Sequence, residues 1–349
     1  MNYTRTFSTK FRFLMQRITT TDINYFEEQF RYGHREIILN FVRQKTLAVN
    51  ESSILIGSID HGWAPHENIW RIRTRNFKFA NRYLWTEERL LNYSKKENAS
   101  AVGAPWLYML ADLGITKENV IDKLPKNKTK VVLFPGHSDL HPGYTNILDQ
   151  IKQMYKNIPK NSHAVVCLYW VDFMNPALRE EIEAMNLEVY TAGYVSLIPY
   201  QDTSHAGRPN FLLELFNMVR DADLIITSEL ATSTFYAMSL GAKVCYTPIN
   251  TERQLSNDFS TTLGPKENKY FFKSTSEWIE SFFPLFYTTT QNPQTFIDFA
   301  WDELGLESFK KNISGAKFKW KNAKANKHSI IVYQNRLTQI KRKIANIKL

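Results

Sequence analysis

The stretch ADLIITSELATSTFYAMSLGAKVCYTP, residues 222–248, decides the fold. It opens on one apolar run, DLIIT, and nears its end on another, KVCYTP. Each is short, apolar and bounded by polar or proline signals, so each reads as a strand of a parallel sheet. Between them, TSTFYAMSLG (232–241) reads as a helix that stops at Gly241. The junction is the unusual part. Ser228, Glu229, Thr232, Ser233 and Thr234 crowd the turn from strand to helix, where apolar packing would serve stability better.

The same rhythm extends back along the chain. VVLFPG (131–136), HAVVCLYW (163–170) and LEVYTAG (187–193) read as strands. TNILDQIKQMYKNI, PALREEIEAMN and NFLLELFNMVRDA (210–222) read as the helices between them. Five strands with intervening helices make a nearly complete doubly wound unit. A first half repeats the pattern more weakly. SILIGSI (53–59), NRYLWT (81–86) and SAVGAP (100–105) are strand candidates, and REIILNFVRQKTL (35–47) has helical spacing. The polar stretch DKLPKNKTK (122–130) reads as the linker between the halves.

The expected organisation is therefore α/β: residues 1–125, 126–285, and 286–349 as C-terminal helices with a basic tail. A chain of 349 residues is long enough for two domains. The net charge of +10 is unevenly spread. Residues 317–349 hold ten Lys or Arg and no acidic residue, while the rest balances 34 basic against 34 acidic. A neutral body argues against a nucleic-acid surface. The tail reads either as a segment that meets an anionic membrane or another acidic partner, or as a solvated helix. The two cysteines, Cys167 and Cys245, lie in apolar runs and read as buried free thiols of a reducing compartment. Neither a secretory leader nor a membrane-spanning run is visible, so a cytoplasmic location is expected.

In open α/β sheets, ligands bind beyond the carboxyl ends of the strands. Those ends carry Gly136, His137 and Ser138; Trp170; Thr191 and Gly193; and Ser228, Glu229, Thr232 and Ser233. A helix amino end presents unpaired N–H groups and the positive end of its dipole. Hydroxyls there, without bulk, suit a phosphate or diphosphate. They also occur as ordinary N-caps. Glycines at neighbouring strand ends favour the phosphate. GxGxxG and GxxxxGK[ST] are absent, so neither a dinucleotide fingerprint nor a P-loop is read.

The second notable stretch is GSIDHGWAPHENIW (57–70). Asp60 and His61 stand at a strand end. Gly62 permits close backbone approach, and Trp63, His66 and Glu67 follow. A carboxylate beside an imidazole in an aromatic loop is the expected base for a hydroxyl group. The alternatives are a capping Asp60 and a core Trp63. His61, His66 and Glu67 match no standard metal spacing, so no metal is expected.

VVCLYWVDF, VYTAGY, FLLELFNMVRDADL and ITSELATSTFYAMSLGAKV, with PGHSD and the DHGW loop, resemble bacterial glycosyltransferase-like proteins of lipopolysaccharide and capsule biosynthesis. The resemblance implies the GT-B architecture: two Rossmann-like domains facing across a cleft. It implies metal-independent transfer from a nucleotide-sugar donor to a glycan or glycolipid acceptor, with no cofactor. Gly136, His137, Ser138, Trp170, Thr191, Gly193, Ser228, Glu229, Thr232 and Ser233 would meet the donor. Asp60, His61 and Glu67 would be catalytic; Gly62, Trp63 and His66 would face the acceptor. The donor stays open between a UDP-hexose and a CMP-linked keto-sugar. An epimerase on the same fold and a non-catalytic binding module are the other readings.

Overall fold

The computed structural model describes residues 31–45, 53–55, 58–60, 62–63, 82–92, 99–136, 147–193, 211–228, 230–247, 292–314 and 332–334. Two parallel sheets organise them. The smaller has the order β2–β3–β4, built from Ser58–Ile59, Arg82–Leu84 and Ala99–Ala101. The larger has five strands: β5 (Asn127–Phe134), β6 (His163–Cys167), β7 (Glu188–Tyr190), β8 (Ala222–Thr227) and β9 (Lys243–Tyr246). Their spatial order is β7–β6–β5–β8–β9, all parallel. The chain winds outward from β5 in one direction and then the other, so strand order reverses between β5 and β8.

The alternation of side chains builds two layers on the larger sheet. Val131, Leu133, Val166, Leu224 and Ile226 face Ile151 and Ile182 on one side. Val132, Phe134, Val165 and Ile225 face the opposite core. Burial of both faces is why these strands read as continuous apolar runs.

The helices are α1 (His34–Lys45), α2 (Glu87–Asn92), α3 (Pro105–Asp112), α4 (Val120–Lys123), α5 (Ile147–Tyr155), α6 (Trp170–Phe173), α7 (Pro176–Glu183), α8 (Phe211–Val219), α9 (Thr232–Ser239), α10 (Pro293–Glu303) and α11 (Leu306–Ser314). Helix α9 ends as the sequence predicts: Gly241 takes φ 92, and its N–H and that of Ala242 return to Met238 and Ala237 carbonyls.

Two expectations change. The stretch 122–130 is no free linker: β5 starts at Asn127, and the Lys130 ammonium pairs with Asp221 at 2.6 Å. Lys126 donates to the Arg220 carbonyl at 2.7 Å, and burial pulls its pKa down to about 8. The SILIGSI run divides: β1 (Ser53–Leu55) leaves the parallel sheet and pairs antiparallel with β10 (Val332–Gln334), a piece of the basic tail.

The join between the halves is packed around α9 where a cleft is expected. One apolar core runs from Ile59, Trp85 and Trp106 through Phe235 and Tyr236 to Phe296 and Trp301. Trp106 stacks on Tyr236 at 4.3 Å and Trp63 on Phe235 at 4.2 Å. The Trp106 indole donates to Ser239 Oγ and the Trp301 indole to the Ser239 carbonyl. Helix α10 thus belongs to this core. Among the described residues, no helix is long and apolar enough to cross a membrane.

Candidate functional site

A cavity with about 900 Å³ of free space, its open mouth included, lies at the carboxyl edge of the larger sheet. Four strand ends converge on it. Phe134–Gly136 end and follow β5, Cys167–Trp170 end and follow β6, Thr191–Gly193 follow β7, and Ala231–Ser233 come after β8. It therefore sits at the crevice where strand order reverses, the place where such sheets hold ligands.

Six residues expected at the donor line this one cavity: Gly136, Trp170, Thr191, Gly193, Thr232 and Ser233. Gly193 takes φ 102, and a Cβ there would meet none of the described residues within 4 Å. Helix α9 opens into the cavity with Ala231 as its N-cap, and among the described residues no side chain caps it. Its hydroxyls therefore do not serve as an ordinary N-cap. Thr232 Oγ1 instead accepts the Trp63 backbone N–H at 2.8 Å. The amino end of the helix keeps its positive dipole end toward the cavity.

Ser228 differs from expectation. It is 6% exposed and lies outside the cavity wall. Its hydroxyl donates to Gln150 Oε1 at 2.7 Å and accepts the Gly136 N–H at 2.7 Å. The Gly136 amide is also 2.9 Å from Gln150 Oε1. Ser228 and Gln150 thus fix the turn after β5, which holds the cavity's edge in shape.

Asp60 also differs. It is 1% exposed, and its carboxylate lies 3.4 Å from the Arg89 guanidinium, away from the cavity wall. Arg89 also donates to the Gly62 carbonyl at 3.3 Å and stands over the Trp85 ring. A carboxylate enclosed with its counter-ion is poorly placed to reach a substrate hydroxyl. Gly62 and Trp63 are buried rather than open to an acceptor. A Cβ on Gly62 would lie 2.7 Å from Thr232 Oγ1. The Trp63 indole donates to Glu303 at 2.6 Å. Burial raises the Glu303 pKa, and the Trp63 hydrogen bond opposes that rise. His61, His66, Glu67, His137, Ser138 and Glu229 lie outside the described residues.

The cavity also uses residues that sequence reasoning passed over. Tyr32, Phe134, Tyr169, Phe211 and Tyr236 supply aromatic walls beside Trp170. Cys167 contributes as well, but burial pushes its thiol up to about 12, so it stays protonated. The spacing of Thr232 and Tyr236, four apart on one helix, was the available signal for the latter. Among the described residues, no group of three His, Cys, Asp or Glu could hold a metal ion.

No protein-family model matches the chain, and no curated protein matches it. Solved structures show weak likeness. S. aureus MnaA in a co-structure with UDP is 15% identical, with a TM-score of 0.35, over 68% of this chain and 60% of that one. UDP-GlcNAc 2-epimerase from Neisseria meningitidis bound to UDP-GlcNAc is 19% identical, with a TM-score of 0.29, over 66% and 62%. The wall teichoic acid polymerase TagF is 10% identical, with a TM-score of 0.29, over 66% and 59%. The chain thus spans less than two thirds of each. At these values the α/β class rests on the chain's own sheets.

Proposed function

We propose that the cavity binds a nucleotide sugar, and that the chain transfers the sugar to a surface-glycan acceptor without a metal. The observation that carries this is the convergence of four strand ends, one with a helix amino end that no described side chain caps, on a single aromatic-walled cavity. The N–H groups at the start of α9 would take the diphosphate. Aromatic faces would hold the base. In the transfer, an acceptor oxygen bonds to the anomeric carbon as the bond from that carbon to the phosphate oxygen breaks. The electron pair leaves on the diphosphate, where the helix dipole stabilises it. The acceptor's proton passes to solvent water at the cavity's open mouth and not to Asp60, because Arg89 encloses that carboxylate.

The first test is thermal stabilisation by CMP, CDP, UDP and GDP, since a ligand that binds the folded chain raises its melting point. At least one is expected to do so; no shift with any rejects the reading. The second is turnover of the matching nucleotide sugar with and without a glycan acceptor. Donor consumed only with acceptor supports transfer. An isomerised nucleotide sugar replaces transfer with epimerisation, and binding without turnover reduces the chain to a binding module.

A further inference from the structure

Two buried polar groups remain unused by this reading. His34 opens α1 and is fully enclosed; Tyr236 lies on α9 and is 2% exposed. Among the described residues, neither His34 ring nitrogen has a hydrogen-bond partner, and neither has the Tyr236 hydroxyl. Enclosed polar atoms without partners are costly, and native chains keep few of them. Two such groups near one cavity call for a ligand-based account.

His34 stands beside the ring of Tyr32, which lines the cavity together with Tyr236. The Tyr32 ring is 5.6 Å from that of His34 and 4.7 Å from that of Phe211 on the cavity wall. It is also near enough to Tyr236 to raise the pKa of that phenol. Tyr32 takes φ 57, ψ 12, a left-handed conformation that non-glycine residues rarely hold, and Gly33 follows at φ 71. Backbone of this kind stores strain and recurs at ligand clamps. Asp60 neighbours His34 and Arg89 neighbours Tyr236, and the two are already paired with each other.

Burial keeps both groups uncharged. It pulls the His34 imidazole down to about 3, and the Asp60 backbone offsets a little of that shift without meeting hydrogen-bond geometry. Burial also lifts the Tyr236 phenol well above its ordinary value. A neutral imidazole gives one donor and one acceptor, and a phenol gives one donor with acceptor capacity. That mixed set matches hydroxyl groups, which both give and take hydrogen bonds. A carboxylate would need a cation, and among the described residues the one beside these groups, Arg89, is held by Asp60 and the Gly62 carbonyl. Tyr236 lies one helical turn beyond Thr232 on the same face. A sugar attached to a diphosphate at the start of α9 would extend about that far.

We propose that His34 and Tyr236 form an inner polar wall of the cavity, uncovered when Tyr32 moves aside, which binds the hydroxyls of a neutral sugar ring carried by the nucleotide. The inference rests on the nucleotide-sugar reading and deepens it: the donor carries an uncharged hexose and not a carboxylated keto-sugar.

The experiment is calorimetric titration of the full chain with the preferred nucleoside diphosphate, the same nucleotide carrying a neutral hexose, and a CMP-linked carboxylated sugar. Tyr236→Phe keeps the ring and its stacking on Trp106. It is expected to weaken nucleotide-hexose binding about tenfold and to leave nucleoside diphosphate binding within about twofold. Its ligand-free melting point should hold or rise, because the lost hydroxyl has no partner. His34→Leu should weaken the same ligand selectively. Equal losses for both ligands, no loss for either, or tighter binding of the carboxylated sugar overturns the inference. A wild-type chain that binds the diphosphate but gains nothing from the hexose does so too. A wild-type chain that binds no nucleotide overturns the function proposed above and this inference together.

Discussion

Replacing Arg89 by Met should destabilise the chain more than any change that removes both members of its ion pair. The Asp60 carboxylate is 1% exposed and 3.4 Å from the guanidinium. Taking away the cation leaves a buried anion uncompensated, a loss of about 3–5 kcal/mol. That corresponds to a fall in melting temperature of about 4–7 °C for a 349-residue cooperative unit. Asp60→Asn keeps the shape and an acceptor oxygen but strands the guanidinium, so it should also destabilise, though less. The double variant Asp60→Leu with Arg89→Met leaves no charge behind, and should be more stable than Arg89→Met alone. Thermal unfolding of the four proteins, with turnover measured on those that remain folded at the assay temperature, tests the assignment. The refuting result is an Asp60→Asn protein with an unchanged melting point and no turnover. That would make Asp60 the proton acceptor and not a structural anion.

Gly62→Ala would push a methyl group onto Thr232 Oγ1 and should cost about 1–3 kcal/mol. Adding Thr232→Ala should recover part of it, and strictly additive losses would count against the contact. His34 is held near 3 when folded against 6.5 when unfolded. Its contribution is therefore whole above pH 6.5 and is lost as pH falls toward 3. His34→Leu should lose less stability than wild type on acidification through this window, and parallel acid-unfolding curves would oppose it. The raised pKa of Glu303 has the opposite sign: its contribution is whole below 4.5 and fades as pH rises through the folded value. Relative to wild type, Glu303→Gln should gain melting temperature between pH 4.5 and 7, and a relative loss would refute the assignment. Removing residues 335–349, which spares β10 and deletes five Lys or Arg, should lower binding to anionic vesicles and not to neutral ones. An unchanged bound fraction would leave the tail a solvated segment.

The larger sheet was legible because its strands are buried on both faces and therefore spell apolar runs. The 122–130 stretch was not, because Lys126 and Lys130 look solvated until Arg220 and Asp221 are brought beside them. The enclosure of Asp60 was not legible for a similar reason: a carboxylate at a strand end invites chemistry, and its partner Arg89 sits in an ordinary charged helix start. The glycine and hydroxyl positions at the strand ends were readable because backbone torsion and helix ends leave a residue signature. The aromatic wall was not, since Tyr32, Phe211 and Tyr236 fit amphipathic packing equally well. His34 gave no signal at all, because its interest lies only in hydrogen bonds it does not make.

The indole-rich seam along Thr232–Ser239 has a mechanical consequence. Sheets bolted together by stacked rings cannot hinge widely without exposing Trp63, Trp106 and Phe235 to water. The molecule should therefore melt as one cooperative unit, with a single calorimetric peak, and admit its ligand by local motion near Tyr32 in place of a swing between halves.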